Sequence, residues 1–142
     1  MPQYRSAHEA AWADELERLR AAGRITDYTY EPKRLALGGG KSYLPDFGFA
    51  LGTGRFRQRV WCEVKGHIMP AAQFRKIWLA ARTHPFHVFL LIRWIDKMWR
   101  VTHVTPQYKP TGNLYPDRWL CWTRDKHGRP YPHQTTNPGA KP

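Results

Sequence analysis

Between Pro32 and Ile95 the sequence carries only two carboxylates, Asp46 and Glu63, against eleven lysines and arginines. Asp46 follows Pro45, and Glu63 stands two residues before Lys65. In an extended strand, residues two apart share a face, so Glu63 and Lys65 point the same way. If the segment holding Asp46 pairs with this strand through the glycines at Gly52 and Gly54, Asp46 comes to lie beside Glu63. Two adjacent carboxylates repel each other unless a cation lies between them. Oxygen ligands of this kind suit magnesium or manganese, with water and substrate phosphate completing the shell. Such an ion lowers the pKa of a bound water, and a neighbouring ammonium orients that water or stabilises charge on a phosphate. The chemistry implied is hydrolysis of a phosphodiester.

The elements that must position these groups follow from periodicity. Ser6 to Ala22 reads as a helix, with Ser6 and Glu9 as a capping box and Gly23 as the stop. Trp12, Ala13, Leu16 and Leu19 form its apolar stripe, and Glu9 lies on the same side. Ile25 to Tyr30 and Leu35 to Leu37 read as extended, and the triple glycine 38–40 turns the chain. Tyr43 to Leu51 alternates as one strand, with Phe47, Phe49 and Leu51 on one face and Asp46, Gly48 and Ala50 on the other. Arg57 to Lys65 is the next strand. Pro70 to Arg82 has helical spacing, with Ala71, Phe74, Ile77, Trp78 and Ala81 on one side, and Thr83-His84-Pro85 ends it. Phe86 to Trp94 is nearly continuous apolar sequence, as in a strand covered on both faces, and Met98 to Val104 returns beside it. Seven of the twelve prolines follow Val104, where a Trp119 to Trp122 cluster is placed to dock on the core.

These elements predict a single α/β domain whose central mixed sheet is flanked by helices in the order α-β-β-β-α-β. Residues 1–104 form its core, and 105–142 are a Pro- and Trp-rich extension, partly docked and partly flexible. The 142 residues carry a formal net charge of +12, which calls for a polyanionic partner. DNA is the leading candidate. No helix with a lysine-rich amphipathic face supports a membrane role, and no apolar run approaches the ~20 residues of a helical span. Without a signal segment, and with Cys62 and Cys121 read as free thiols, the chain is expected in the cytoplasm. The stretch "GGGKS" at 38–42 lacks the first glycine and the following helix of a phosphate loop, so no nucleotide cofactor is expected. It reads as a flexible turn that brings Lys41 near DNA. The histidines show no ligand spacing.

Pro45-Asp46, followed by Glu63-Val64-Lys65 one strand later, resembles the signature of the PD-(D/E)XK nucleases. The resemblance covers roughly Ser6 to Val104, and in format the chain is most similar to small phage-encoded nucleases and phage-type Holliday junction resolvases. It implies a restriction-endonuclease-like core, a magnesium- or manganese-dependent endodeoxyribonuclease, and a phage or prophage protein working in the bacterial cytoplasm. Asp46, Glu63 and the carbonyl of Val64 would then be metal ligands, Lys65 the catalytic lysine, and Glu9 an auxiliary acid and ligand. A homodimer is a further implication, because two strands must be cut symmetrically.

Each motif also has a structural reading. Pro-Asp is a common turn pair, Glu-x-Lys suits a solvated strand, and Glu9 can serve only as a cap. Their joint order in an acid-poor stretch favours the site. Phosphate contacts are assigned to Lys41, Arg55, Arg57, Arg59, Arg75, Lys76 and Arg82, with Arg75 and Arg82 flanking the apolar helix face and Lys76 turned outward. Trp61 is a candidate to meet a splayed base. Arg118, Arg124, Lys126 and Arg129 extend the charge into the C-terminal part. With no compact base-reading motif, the expected substrate is branched or structured DNA. A non-catalytic nucleic-acid-binding module and a nuclease for RNA are the competing readings.

Overall fold

The computed structural model describes residues 3–52, 54–66, 68–95, 97–106, 118–121 and 133–136. It is a mixed α/β structure in which a mixed sheet lies between two helices. Helix α1 spans Ala7–Ala21, followed by β1 (Thr26–Tyr30), β2 (Leu35–Gly38), β3 (Lys41–Tyr43), β4 (Phe47–Leu51) and β5 (Gln58–Lys65). Helix α2 (Ala71–Thr83) leads to β6 (Val88–Ile95) and β7 (Met98–Val104), and short strands β8 (Arg118–Cys121) and β9 (His133–Thr136) follow. Five strands run in the order β1-β4-β5-β6-β7, and β8 and β9 extend the sheet beyond β7. In the main sheet the chain order is thus α1-β1-β4-β5-α2-β6, with the β2–β3 hairpin inserted as a separate two-stranded sheet.

Helix α1 starts where Ser6, in extended conformation, accepts a hydrogen bond on its side chain from the Glu9 N–H at 3.1 Å. Such a cap contributes about 1 kcal/mol. The chain leaves the helix through Gly23, whose φ of 74° is costly for a residue with a Cβ. The predicted stripe of Trp12, Ala13, Leu16 and Leu19 is buried against Phe47, Phe49, Val60, Cys62, Val64, Leu90 and Ile92. On the opposite face, Phe74, Ile77, Ala80 and Ala81 of α2 pack with Trp61, Phe89 and Leu91. Each large apolar side chain removed from water in these layers contributes about 1.5–3 kcal/mol. Because α2 intervenes, β5 and β6 run parallel, while the other neighbours in the sheet are antiparallel. Strand β6 is buried from Phe89 to Arg93, as its apolar run predicts.

Three expectations need correction. Tyr43 to Leu51 is not one strand: β3 ends at Tyr43 and pairs with β2, and β4 begins at Phe47. Pro45 has no N–H to give a ladder, so the chain breaks there and changes sheets. Phe86 is not strand but an exposed residue at 88% accessibility, because Pro85 follows the helix cap His84 and the sheet begins only at Val88. Trp61 is only 2% exposed and is no platform for an incoming base. The expectations for Trp122, Arg124, Lys126 and Arg129, for the Arg118, Trp119 and Cys121 side chains, and for flexibility in the C-terminal extension lie outside the described residues. No helix among the described residues is long and apolar enough to cross a membrane.

Gly48 on β4 faces Trp61 on β5, its register partner. A Cβ at Gly48 would stand 2.8 Å from the indole ring and 3.2 Å from Pro32 Cγ. Gly48→Ala should therefore destabilise the fold by about 1–3 kcal/mol, read as a lower urea midpoint at unchanged slope. An unchanged midpoint would mean that the ring has room to move.

Candidate active site

Strands β4 and β5 pair in the register Phe47↔Cys62, and the Asp46 N–H adds one more ladder bond, to the Cys62 carbonyl at 2.9 Å. Asp46 and Glu63 both line a cavity of about 450 Å³, which Lys65 and Glu9 also line. The predicted quartet is therefore gathered in one place. Lys76 of α2 lines the same cavity, whereas Arg75 and Arg82 do not.

Each acid has one oxygen tied to the protein. Asp46 Oδ2 accepts the backbone N–H of Val64 at 2.8 Å, and Asp46 Oδ1 lies 4.0 Å from the Arg5 guanidinium. Glu63 Oε1 accepts the Tyr43 hydroxyl at 2.7 Å, and its Oε2 lies 3.9 Å from Lys65 Nζ. Glu9 Oε1 accepts the Tyr30 hydroxyl at 2.7 Å and, more weakly, the Arg5 N–H at 3.4 Å. Glu9 thus closes no reciprocal bond onto Ser6; its carboxylate turns inward to Tyr30. The Val64 backbone points toward β4, since its N–H reaches Asp46 there, and in a strand the carbonyl of a residue projects to the same side as its N–H.

Burial is the main cause of the unusual acidities. It pushes the Asp46 carboxyl up to about 6, against the pull of the Val64 N–H, and the nearby Glu9 charge adds to the rise. Burial likewise raises Glu63 to about 7, with the Asp46 charge contributing next. Tyr43, buried beside these anions, is raised well above the usual phenol range and stays a donor. Two buried acids that resist charging, each presenting one oxygen to a cation at long range, form a fitting seat for a hard divalent ion. Such an ion needs only one or two carboxylates besides water and phosphate. Among the described residues no group of three or more His, Cys, Asp or Glu side chains is placed to hold one ion. Anchored on Tyr30, Glu9 contributes charge to the pocket across a distance.

Several site groups were not anticipated: Arg5, Arg34, Tyr43 and Gln73 also line the cavity. Gln73 and Lys76 are three apart on one helix, a same-face spacing that marks them as neighbours. Tyr43 carried no such sign, because the break at Pro45 alone turns it toward Glu63. Of the remaining phosphate candidates, Arg57 is ion-paired with Asp27, Arg59 stacks 4.8 Å from the Trp61 ring centroid, and Arg82 lies 5.6 Å from that of Trp78. Lys41 is exposed on the hairpin, and Arg55 is exposed in a 3-10 turn at Gly54–Phe56. No protein-family model, no curated protein and no solved structure matches this chain.

Folding raises the pKa of both Asp46 and Glu63, so between about pH 4 and 7 the folded chain holds more protons than the unfolded one. Their contribution to stability is present at low pH and is lost as pH rises through about 6–7. Glu63→Gln should therefore melt higher than the parent at pH 8 in chelator, by the equivalent of about 1–3 kcal/mol, and show little gain at pH 4. A gain of equal size at both pH values would rule out the buried charge as its source.

Proposed function

We propose that this protein is a metal-dependent nuclease that hydrolyses phosphodiester bonds of DNA, with a restriction-endonuclease-like core of the PD-(D/E)XK type. The observation that carries this reading is the convergence of Asp46, Glu63 and Lys65, from a chain break and a strand end, in one basic-rimmed cavity. Magnesium or manganese, when bound, supplies polarisation of the phosphate and a water acidic enough to attack near neutral pH. Asp46 Oδ1 and Glu63 Oε2 are the oxygens left to hold it, with the Val64 carbonyl beside them. Lys65, 3.9 Å from Glu63 Oε2, orients the attacking water and offsets charge as it develops on the phosphate. Arg5, Arg34 and Lys76 around the rim hold the incoming backbone, and the Gln73 amide offers a neutral donor. Glu9, whose Oε1 accepts from the Tyr30 hydroxyl and the Arg5 N–H, is the auxiliary acid of the site and adds its charge to that of the two buried acids.

The reading is tested by a panel of linear, single-stranded and branched DNA and of RNA, with magnesium and with chelator. Asp46→Ala and Glu63→Ala should each lower cleavage by at least about 100-fold while leaving DNA binding nearly intact, since neither removes a cation from the surface. Lys65→Ala should lose most activity yet keep the rise in melting temperature that magnesium gives the parent. Wild-type cleavage by Asp46→Ala, or a parent that binds DNA but never cuts it, sinks the enzyme reading and leaves a binding module. Preferential cutting of RNA would reassign the substrate.

The proposed preference for branched DNA has a separate measurement. The cations reach from the hairpin across β5 to α2, so a junction, which brings several backbones close, should engage more of them than a duplex does. A four-way junction should bind more tightly than a duplex of equal length, with a steeper dependence on salt because more counterions are released. Equal affinity and slope remove the case for branched substrates.

A further inference from the structure

A second cavity, of about 540 Å³, is lined by Trp61 together with Lys33, Arg59 and His87. The indole is held from three sides. It lies against Gly48 with Pro32 next to it, and its Nε1–H donates to His87 Nδ1 at 2.9 Å. The Arg59 guanidinium sits 4.8 Å from its ring centroid and the Lys33 ammonium 6.0 Å. An indole nitrogen can only donate, so His87 Nδ1 must accept and the imidazole proton resides on Nε2. His87 is kept in this neutral form chiefly by burial, with the charges of His84, Lys33 and Arg59 adding to the effect.

The walls therefore present two cations and an imidazole N–H. The one carboxylate in the lining, Glu31, is ion-paired with Arg5, and the Tyr30 hydroxyl is committed to Glu9. Glu31 reaches that position through a left-handed backbone, φ 46°, pinned by donation of its N–H to the Asp46 carbonyl at 2.8 Å. After this turn Pro32 lies against Gly48, Lys33 lines this cavity and the next residue, Arg34, lines the carboxylate cavity. Trp61 and Glu63 are two residues apart on one face of β5, about 7 Å along the strand, the scale of a nucleotide step. Cations gathered this way repel one another until an anion enters.

We infer that this cavity binds a backbone phosphate neighbouring the scissile one, held by Lys33, Arg59 and the Nε2–H of His87. It rests on the phosphodiester reading and adds a site that fixes how far the strand is threaded past Glu63. The phosphate is the recognised group; the bases stay outside, because Trp61 is covered.

The test is a binding cycle in chelator, which needs no cleavage. Four-way junctions of fixed sequence, whose crossover sets the register, carry one neutral methylphosphonate each, placed in turn at every position near the crossover. Wild-type protein should lose about tenfold in affinity at one position within two nucleotides of the bond that it cuts, as expected for a lost phosphate contact. Lys33→Ala should bind unmodified DNA about tenfold more weakly, with a salt slope smaller by about one, and lose nothing further at that position. Lys33 is exposed, so this variant folds; Arg59→Gln should repeat the result. If every replacement costs Lys33→Ala as much as it costs the parent, or the parent is indifferent to all of them, the phosphate site is overturned. A failed nuclease reading would look different: the cycle would still close on one phosphate while Asp46→Ala left cleavage untouched.

Discussion

Asp46 is bonded to β5 twice, by its backbone N–H to the Cys62 carbonyl and by its carboxylate to the Val64 N–H. The second bond replaces the ladder contact that β4 would have made had it continued past Pro45. A side chain thus finishes the sheet where the backbone has turned away. The arrangement satisfies a donor that would otherwise be stranded near the end of β5, and it fixes one carboxylate oxygen while leaving the other turned to the cavity. Most of the site geometry follows from this pair of bonds. Glu63 lies between the two residues that Asp46 bonds, Lys65 is one strand period further on, and the Asp46 carbonyl in turn anchors Glu31.

Holding two acids there works against stability. Burial raises both pKa values, so at neutral pH the folded chain carries charge in a place that disfavours it. The layers on either side offset this cost, with α1 on Phe47, Phe49 and Val60, and α2 on Trp61, Phe89 and Leu91. Those layers explain why the acids cannot relax by moving apart. β5 is packed on both faces, and its Cys62 and Val64 sit in the core immediately beside Glu63. Taking up a proton, or placing a cation between them, is what lowers the energy of the pair.

The basic groups divide by partner. Arg57 is matched with Asp27 on the surface, whereas Lys65 and Lys76 face the acids, and Lys33 and Arg59 gather over an indole. A net charge of +12 is therefore not spread evenly in effect. The charge that matters most stands where low-dielectric walls concentrate its field, beside Trp61 and along the cavity rim.

Much of this was legible in the sequence because it depends on local period. The strand repeat puts Glu63 and Lys65 on one face, and the helical repeat picks out Trp12, Ala13, Leu16 and Leu19; both hold at any position in a fold. The continuous apolar run of β6 announced burial on both faces for the same reason. Pro45 was visible too, but its consequence was not. A residue without an N–H can end a strand or sit at an edge, and only the pairing of β3 with β2 decided that the chain changes sheets there. That decision turned Tyr43 onto Glu63 and separated the hairpin from β4. Tertiary packing also decided which cation of α2 borders the cavity, Lys76 rather than Arg75 or Arg82, since the direction of a helix face is set by what it packs on. It likewise sent Glu9 to Tyr30, a partner 21 residues away. Spacing along a chain specifies which residues face together within one element; which elements meet, and which oxygens are left over when they do, is settled by the core that brings them into contact.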